Sequence, residues 1–282
     1  MLDGALPGVG VKPDKLTLPL TTIYLPTRRA ARGLRDAFLS ASGGEALLLP
    51  RIRTLGDPEE DEALIFASEL AGDRIDADIG APTIGTLERR LVLMRLILAR
   101  GRAERKAMVA ADEFLSAIPT VSTAAQASKL AAELARLMDF IESEDADLKS
   151  LAKLVPEEFS AHWQLTVEFL KLITDAWPRY LDDRKLVSPV ARQKLLMALE
   201  AERLAASPLR GPVIAAGSTG TVPATARLLQ VIASLPNGAV VLPGLDLTLD
   251  EESWATLSEH PEHPQAGMAE LLRKLGVTRD EV

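Results

Sequence analysis

A short apolar run that leads directly into an arginine-rich helical pattern constrains the fold of this chain most strongly. Residues 22–38 read TIYLPTRRAARGLRDAF, and the apolar run Thr22–Leu25 stops at Pro26. Beyond the proline, apolar residues recur at helical spacing and would share one helix face: Ala30, Ala31, Leu34, Ala37 and Phe38. The pattern predicts a buried strand followed by a helix, the repeating unit of an open α/β sheet.

Four arginines lie near the start and on the other face of the same predicted helix: Arg28, Arg29, Arg32 and Arg35. Ligands of open α/β folds bind beyond the carboxyl ends of the strands, where such a helix begins. Guanidinium groups match phosphate oxygens, so a nucleic-acid backbone is the first partner to consider. A solvated helix face explains the same spacing, and both interpretations stay open.

Charge confines any nucleic-acid contact to a small part of the surface. The 282 residues carry a formal net charge of −8, which argues against a generally basic, DNA-coating protein. Residues 1–55 nevertheless hold eight lysines and arginines against four acidic residues, a net charge of +4 that leaves −12 for the rest. Aromatic residues make up only 4% of the chain, so base recognition is not evident from composition.

The remaining composition is typical of a soluble protein of the cytoplasm. No cysteine is present, which fits a reducing compartment and excludes thiolate metal ligands in this sequence. No apolar run approaches the roughly 20 residues needed to span a bilayer. With 47% hydrophobic residues, the chain can bury a large core and form about two domains.

Four apolar runs predict strands buried on both faces: Thr22–Leu25, Ala46–Leu49, Val213–Ala216 and Ala239–Leu242. The first, third and fourth are each followed by a helical pattern, as in a parallel sheet covered by helices. About 160 residues with almost no strand signal separate the second run from the third. We therefore predict an α/β domain split between residues 1–84 and 206–282, with an all-helical insertion at 85–205.

The predicted insertion contains three apolar stripes at helical spacing. They are Leu87, Leu91, Met94 and Leu98; Leu130, Leu134, Leu137, Met138 and Ile141; and Trp163, Val167, Leu170, Ile173, Trp177 and Leu181. Pro156–Glu157 and Ser188–Pro189 are typical helix starts. The acidic residues 56–80 predict a connector with one short helix.

Signatures of nucleotide hydrolysis are missing from the sequence. No glycine-rich loop ends in Gly-Lys-Ser/Thr, the arrangement that holds the phosphates in nucleotide hydrolases. The run Val213–Ala216 ends in Gly217–Ser218–Thr219–Gly220, where an active motor needs acidic residues for metal and water. This loop fits a phosphate cradle, but a plain strand-to-helix turn before Pro223 fits it better.

Two other chemistries deserve comparison. Ser218 followed by Asp246 or Asp250 and then His260 or His263 gives the chain order of an α/β-hydrolase triad. Pro223 delays the helix that should follow such a nucleophile at once, which makes this alternative weaker. Pro261 lies between the two histidines and breaks the helix that would align them on a metal, so we expect no metal site and no cofactor in this segment.

TIYLPTRRAAR resembles the second signature of UvrD-like superfamily 1 helicases, an apolar strand followed by Thr-Asn-Lys-Ala-Ala. On this match Thr27 takes the threonine position, and Arg28 and Arg29 take the Asn-Lys pair. Most of the chain is similar to the N-terminal part of the AddB family in its alphaproteobacterial form. The stretches that carry this resemblance are LPTRRAARGLRDAF, ALLLPRIRTLGD, PEEFSAHWQLTVEFLKLITDAWP, GPVIAAGSTGTVPATARLLQVIASLP and AVVLPGLD.

The resemblance implies an inactivated P-loop NTPase/helicase-like fold within a helicase–nuclease that processes double-strand breaks for homologous recombination. Gly217 and Ser218 then occupy the degenerate Walker B position, and AVVLPGLD matches the next signature strand without its glutamine. The phosphate-loop position would lie upstream of Met1, which leaves nucleotide binding by the intact protein open. The nuclease domain would lie downstream.

The implied partners are an AddA-like motor subunit and DNA, with single strands as the first candidate, and the implied segment is not itself catalytic. Residues expected to contact the DNA backbone are Thr27, Arg28, Arg29 and Arg32, with Arg51 and Arg53 as secondary candidates. The alternative is an interaction scaffold, in which these arginines pair with the acidic residues 57–62 or with the AddA-like subunit.

Overall fold

A computed structural model of the chain describes residues 18–55, 81–110, 123–146, 172–206 and 211–282. The chain divides into two compact units, with boundaries between residues 79 and 80 and between residues 192 and 193. The predicted connector at 56–80, the helix start at Pro156–Glu157 and part of the third stripe (Trp163, Val167, Leu170 and the side chain of Ile173) lie outside the described residues.

The described α-helices are α1 (Arg28–Ala41), α2 (Thr86–Ala110), α3 (Ala124–Ser143), α4 (Trp177–Arg184), α5 (Pro189–Ala206), α6 (Pro223–Ser234), α7 (Glu251–Thr256) and α8 (Ala266–Leu275). Short 3₁₀ turns lie at Leu18–Leu20, Leu257–Glu259 and Arg279–Glu281, and a π-helical turn at Leu172–Ala176 leads into α4. As predicted, α5 begins at Pro189, where Ser188 Oγ accepts a hydrogen bond from the Ala191 amide.

The sheet consists of four parallel strands in the order β2-β1-β3-β4, namely β1 (Thr22–Leu25), β2 (Arg51–Thr54), β3 (Val213–Ala216) and β4 (Gly238–Val241). The predicted α/β class and the parallel sheet are therefore confirmed, and β1 and β3 have the predicted bounds. β4 begins and ends one residue earlier than predicted.

Helices cover both faces of this sheet. On one face, Ile23, Leu25 and Ile214 form a core with Ala31 and Phe38 of α1. Ala37, which the sequence placed on this apolar face, is exposed. It lies about 100° around the helix from Phe38, on the solvent side.

On the opposite face, β1 and β3 pack against α5, α6 and α8. The core there includes Tyr24, Val213, Leu204, Leu229 and Leu271. Successive residues of β1 and β3 face opposite sides of the sheet, so each of these two strands contributes to both cores, as their continuous apolar runs predicted.

The predicted strand at Ala46–Leu49 is wrong, because the chain pairs with β1 only after Pro50. Pairing begins where the Arg51 amide donates to the carbonyl of Thr21 at 2.9 Å. In the described sheet, β2 is an edge strand with a neighbour on one side only. Its residue Ile52 packs under α1. An edge strand needs few apolar residues, so the stronger apolar run was misleading.

The second unit has its own core, formed by Leu93 and Ile97 of α2, Ala131 and Leu134 of α3, and Trp177 of α4, with further residues around them. The predicted stripe on α2 is only partly right, since Leu87 and Leu91 are exposed while Met94 and Leu98 pack against the core. Likewise, Leu134 and Met138 of the second stripe are buried and Leu137 is exposed.

An arginine accounts for the shifted face of α2. Arg89 is buried, donates to Asp139 at 2.6 Å and to the Ala135 carbonyl at 3.0 Å, and so occupies a position that periodicity reserves for apolar residues. α2 is apolar around much of its circumference, which makes its buried face ambiguous from sequence.

Residues 193–206, which we predicted to lie in the insertion, belong to the sheet-containing unit. Met197, Ala201 and Leu204 of α5 pack in the core beneath β1 and β3. The unit boundary thus falls inside a continuous helix, a feature that helical periodicity does not reveal.

Candidate nucleic-acid interface

The strand order places the switch point of the sheet between β1 and β3. The chain passes from β1 to its neighbour β2 on one side and later returns to β3 on the other side. In open α/β sheets, the crevice beyond the carboxyl ends of the strands at such a point is the usual ligand position. Two loops meet there: a Cβ added to Gly217 would lie 3.6 Å from Cδ of Pro26.

Thr27 forms the N-cap of α1 at this point. Its backbone is extended (φ −142°, ψ 155°), and its Oγ1 accepts a hydrogen bond from the Ala30 amide at 3.1 Å. The hydroxyl hydrogen remains able to donate. The amides of Arg28 and Arg29 belong to the first turn, where helical amides have no carbonyl partner within the helix and the helix dipole favours an anion.

The α1 arginines lie around the outer side of the helix. Arg29, Arg32 and Arg35 are exposed, and Arg28 is half-buried. Arg28, Arg32 and Arg35 follow a spacing of four and three residues, so they line one flank of α1 beside its buried face. The structure thus brings Thr27, Arg28, Arg29 and Arg32 together at and beyond the end of β1.

The β2 arginines lie on the other side of the sheet. Ile52 packs under α1, and strand residues alternate, so Arg51 and Arg53 point toward the face that carries α5 and α6. Arg53 pairs in register with Tyr24, and its charge acts to lower the pKa of that phenol. The sequence-predicted arginines therefore form two groups separated by the sheet.

The loop after β3 is packed rather than open. Gly217 and Gly220 have positive φ angles of 78° and 62°. A Cβ on Gly220 would lie 2.7 Å from Cδ1 of Leu271, and one on Gly267 would lie 2.9 Å from Cγ2 of Thr221, so α8 touches this loop closely. Ser218 Oγ accepts a hydrogen bond from the Gly220 amide at 3.3 Å.

The loop after β4 is held by its own polar contacts and by a glutamine. Asp246 Oδ1 accepts from the Thr248 hydroxyl at 2.7 Å and from the Thr248 and Leu249 amides, and these hydrogen bonds, that of the hydroxyl first, lower the pKa of Asp246. Gln265 donates to the Gly244 carbonyl and accepts from the Asp246 amide, each at 3.1 Å. Sequence reasoning missed Gln265, because no local pattern links it to a loop 19 residues away.

A buried polar cluster lies beneath β1. The Tyr24 hydroxyl donates to Oε1 of Glu200, and Arg203 makes two hydrogen bonds to the same carboxylate at 2.7 and 2.8 Å. Burial, and then the charge of Glu200, raise the pKa of Tyr24, while the hydrogen bond to Glu200 raises that of Arg203. The available sequence signal was a glutamate and an arginine three residues apart on a predicted helix.

The hydrolase triad is not assembled in the described part of the chain. Asp250 caps α7 by accepting from Ser253, and His260 lies 3.4 Å from Glu262. His263 Nδ1 accepts from the Gln265 amide. Ser218 is separated from the start of α6 by four residues, whereas a nucleophile elbow enters its helix directly.

Among the described residues, no group of three or more histidine, aspartate and glutamate side chains is arranged to hold a metal ion. No helix in the same part of the chain combines the length and apolar character required to cross a membrane. Comparison of the chain with protein families, with curated proteins and with solved structures finds no significant match.

Proposed function

We propose that this chain is a helicase-like α/β domain that does not turn over nucleotide and that contacts the phosphate backbone of single-stranded DNA. The observation that carries the proposal is the position of Thr27 and Arg29 at the sheet's switch point, beside the loop that begins at Gly217–Ser218 after β3. In the superfamily 1 helicases that the sequence resembles, the signature around Thr27 touches DNA phosphates.

The finer assignment is to an AddB-type subunit of a helicase–nuclease that acts in double-strand-break repair. The stretches quoted above support it: four of them lie in or beside α1, β2, β3 and β4, and the fifth, residues 156–178, lies largely outside the described residues. In that setting the helical unit corresponds to the second subdomain of the motor's first half, and the partner is an AddA-like motor subunit.

The chemistry at the start of α1 suits a phosphate better than a metal or a neutral ligand. Arg29 and Arg32 are exposed cations one turn apart, and the positive end of the helix dipole lies beside them. Thr27 adds a hydroxyl donor next to the first-turn amides. These groups hold a backbone without reading its sequence.

A charge-reversal experiment on the 282-residue chain tests this proposal. Arg29→Glu/Arg32→Glu should weaken binding of a fluorescein-labelled oligothymidylate by about 1–3 kcal/mol in fluorescence anisotropy. Arg273→Glu is the matched control, because Arg273 is exposed on the last turn of α8. Gly267, which contacts the loop after β3, lies at the other end of that helix. Equal affinity of the double variant and the control variant would refute the proposal.

An interaction scaffold is the second candidate, and one observation favours it. Leu39 is 66% exposed and continues the flank of Arg28, Arg32 and Arg35 on α1. A mixed arginine and leucine stripe suits a protein partner as well as a phosphate. If the chain is a scaffold, Leu39→Ser should weaken co-purification with an AddA-like subunit and leave oligothymidylate binding unchanged. If α1 instead contacts the DNA backbone, only the charge reversal at Arg29 and Arg32 should weaken oligothymidylate binding.

A further inference from the structure

An unusual stack of aromatic rings and guanidinium groups crosses the helical unit. Trp177 and Tyr180 stack with ring centroids 5.8 Å apart and planes 16° from parallel. The guanidinium of Arg89 lies over the Trp177 ring at 5.8 Å, and that of Arg184 lies over the Tyr180 ring at 4.8 Å. Four planar groups therefore follow one another from the core toward solvent.

The inner end of the stack is fixed by burial and hydrogen bonds. Arg89 and Trp177 are 5% and 4% exposed, and Arg89 is anchored by Asp139 and the Ala135 carbonyl. Tyr180 is held by a hydrogen bond from its hydroxyl to Glu88 at 2.9 Å. The outer layers thus rest on a rigid base, which lowers the ordering cost of adding another planar group.

The outer end of the stack is open to solvent. The Arg184 side chain is 59% exposed, although its guanidinium is held over Tyr180 and lies 3.9 Å from Glu88. Leu91 and Arg95 lie one and two turns beyond Glu88 on the same side of α2, and both are exposed. We call the surface formed by Tyr180, Arg184, Glu88, Leu91 and Arg95 the Arg184 platform.

We propose that the Arg184 platform is a stacking site for an unpaired nucleobase of single-stranded DNA. Guanidinium planes are weakly hydrated and stack on bases, as aromatic rings do. The carboxylate of Glu88 beside Arg184 disfavours a phosphate at the centre of the platform, while a neutral base meets no such repulsion. Leu91 adds apolar contact, and Arg95 supplies a cation at the rim for the phosphate that flanks the base.

This inference rests on the proposed function, because both require single-stranded DNA, but it concerns a different site and a different part of the nucleotide. The α1 arginines contact phosphates and should not distinguish a base from its absence. The Arg184 platform should distinguish them. The two proposals are therefore separable by comparing oligonucleotides with and without bases.

The experiment compares a labelled thymidine oligonucleotide with an abasic oligonucleotide of the same length, and hence the same phosphates, on the full 282-residue chain. We expect the wild-type protein to bind the thymidine strand at least about fivefold more tightly than the abasic strand. In Arg184→Glu this ratio should fall to about one, because a planar cation is replaced by an acid beside Glu88.

Arg136→Glu is the matched control, since Arg136 is exposed in the same unit, pairs with Glu133 and undergoes the same charge change. Its ratio should equal that of the wild type. Tyr180→Phe, which keeps the ring and loses the Glu88 hydrogen bond, should also retain it. A wild-type ratio near one, or a preference that persists in Arg184→Glu, would overturn the inference even if the α1 arginines prove essential.

A cross-linking measurement tests the stacking site even where the chain binds the oligonucleotide weakly. An oligonucleotide with 5-iodouracil, which cross-links to aromatic side chains on irradiation, should label the peptide containing Tyr180 in the wild-type protein and not in Arg184→Glu. Labelling confined to other peptides would contradict the proposal. If Arg29→Glu/Arg32→Glu abolished binding of the thymidine strand and Arg184→Glu left binding unchanged, the proposed function would stand and the stacking site would be rejected.

Discussion

The phenol of Tyr24 donates a hydrogen bond to the carboxylate of Glu200, 176 residues further along the chain. Glu200 is fully buried and is shared with Arg203, so one carboxylate ties β1 to α5 beneath the sheet. Tyr24 lies three residues before Thr27, which places this anchor directly behind the switch point. The position of the candidate interface thus depends on a pair of residues far apart in sequence.

Removal of the shared carboxylate should destabilise the sheet-containing unit strongly. Glu200→Ala leaves Arg203 without its bidentate partner and the Tyr24 hydroxyl buried without an acceptor, at an expected cost of about 3–5 kcal/mol in the free energy of unfolding. Tyr24→Phe removes one hydrogen bond only and should cost about 1–2 kcal/mol. Urea unfolding measures the loss of unfolding free energy in each variant, and hydrogen exchange of the β1 amides reports the local effect. A smaller loss in Glu200→Ala than in Tyr24→Phe would contradict the role of Glu200 as the shared anchor.

Alkaline pH should destabilise the wild-type protein through Tyr24. Burial and the Glu200 charge hold the pKa of this phenol above its usual 10.0, so above that pH the unfolded chain releases a proton that the folded chain keeps. The stabilisation by neutral Tyr24 is complete below pH 10 and is lost as the pH rises further. Unfolding free energies measured by circular dichroism between pH 8 and pH 11.5 should fall less in Tyr24→Phe.

Tyr180→Phe is the control for this pH dependence, since Tyr180 is the other tyrosine of the chain. Its pKa is also raised, by desolvation and by Glu88, but the group is solvent-screened, so its variant should keep most of the alkaline fall. Equal flattening in the two variants would show that Tyr24 is not the group responsible.

The contact between α8 and the loop after β3 predicts an intolerant glycine. Gly220→Ala introduces a Cβ at φ +62° and 2.7 Å from Leu271, so the free energy of unfolding should fall by about 2 kcal/mol or more. Gly33→Ala is the control, because Gly33 lies inside α1 with no atom within 4 Å of an added Cβ, and it should stabilise the protein by about 0.5–1 kcal/mol. A neutral Gly220→Ala in thermal unfolding would mean that α8 does not press on this loop.

Sequence patterns predicted the strands and helices whose position depends only on burial within one continuous segment. β1 and β3 lie at the centre of the described sheet, and each leaves a clear apolar run because all four residues of β1 and the first three of β3 are buried. β2 was misplaced because an edge strand carries one packed residue, Ile52, between two arginines. On α2 the buried Arg89 reverses the rule that charged residues face solvent.

Of the candidate site, the sequence predicted only the residues that lie close together along the chain. Thr27 and the arginines of α1 follow from the strand-to-helix pattern, but the separation of Arg51 and Arg53 from them depends on strand register. Long-range partners such as Glu200 for Tyr24 and Gln265 for Asp246 leave no periodic trace. Trp177, Tyr180 and Arg184 lie at helical spacing on α4, but the contacts of Arg89 and Glu88 with these rings exist only once α2 and α4 have packed together.

If Arg29 and Arg32 at the start of α1 contact the phosphates of a single strand, the salt dependence of binding should report those contacts. The slope of log K against log salt concentration for an oligothymidylate should be shallower by about 1.4 in Arg29→Ala/Arg32→Ala than in the wild-type protein, since each phosphate contact on a single strand contributes about 0.7. Arg273→Ala should leave the slope unchanged. A double variant with the wild-type slope would show that these two arginines do not contact the phosphates of the strand.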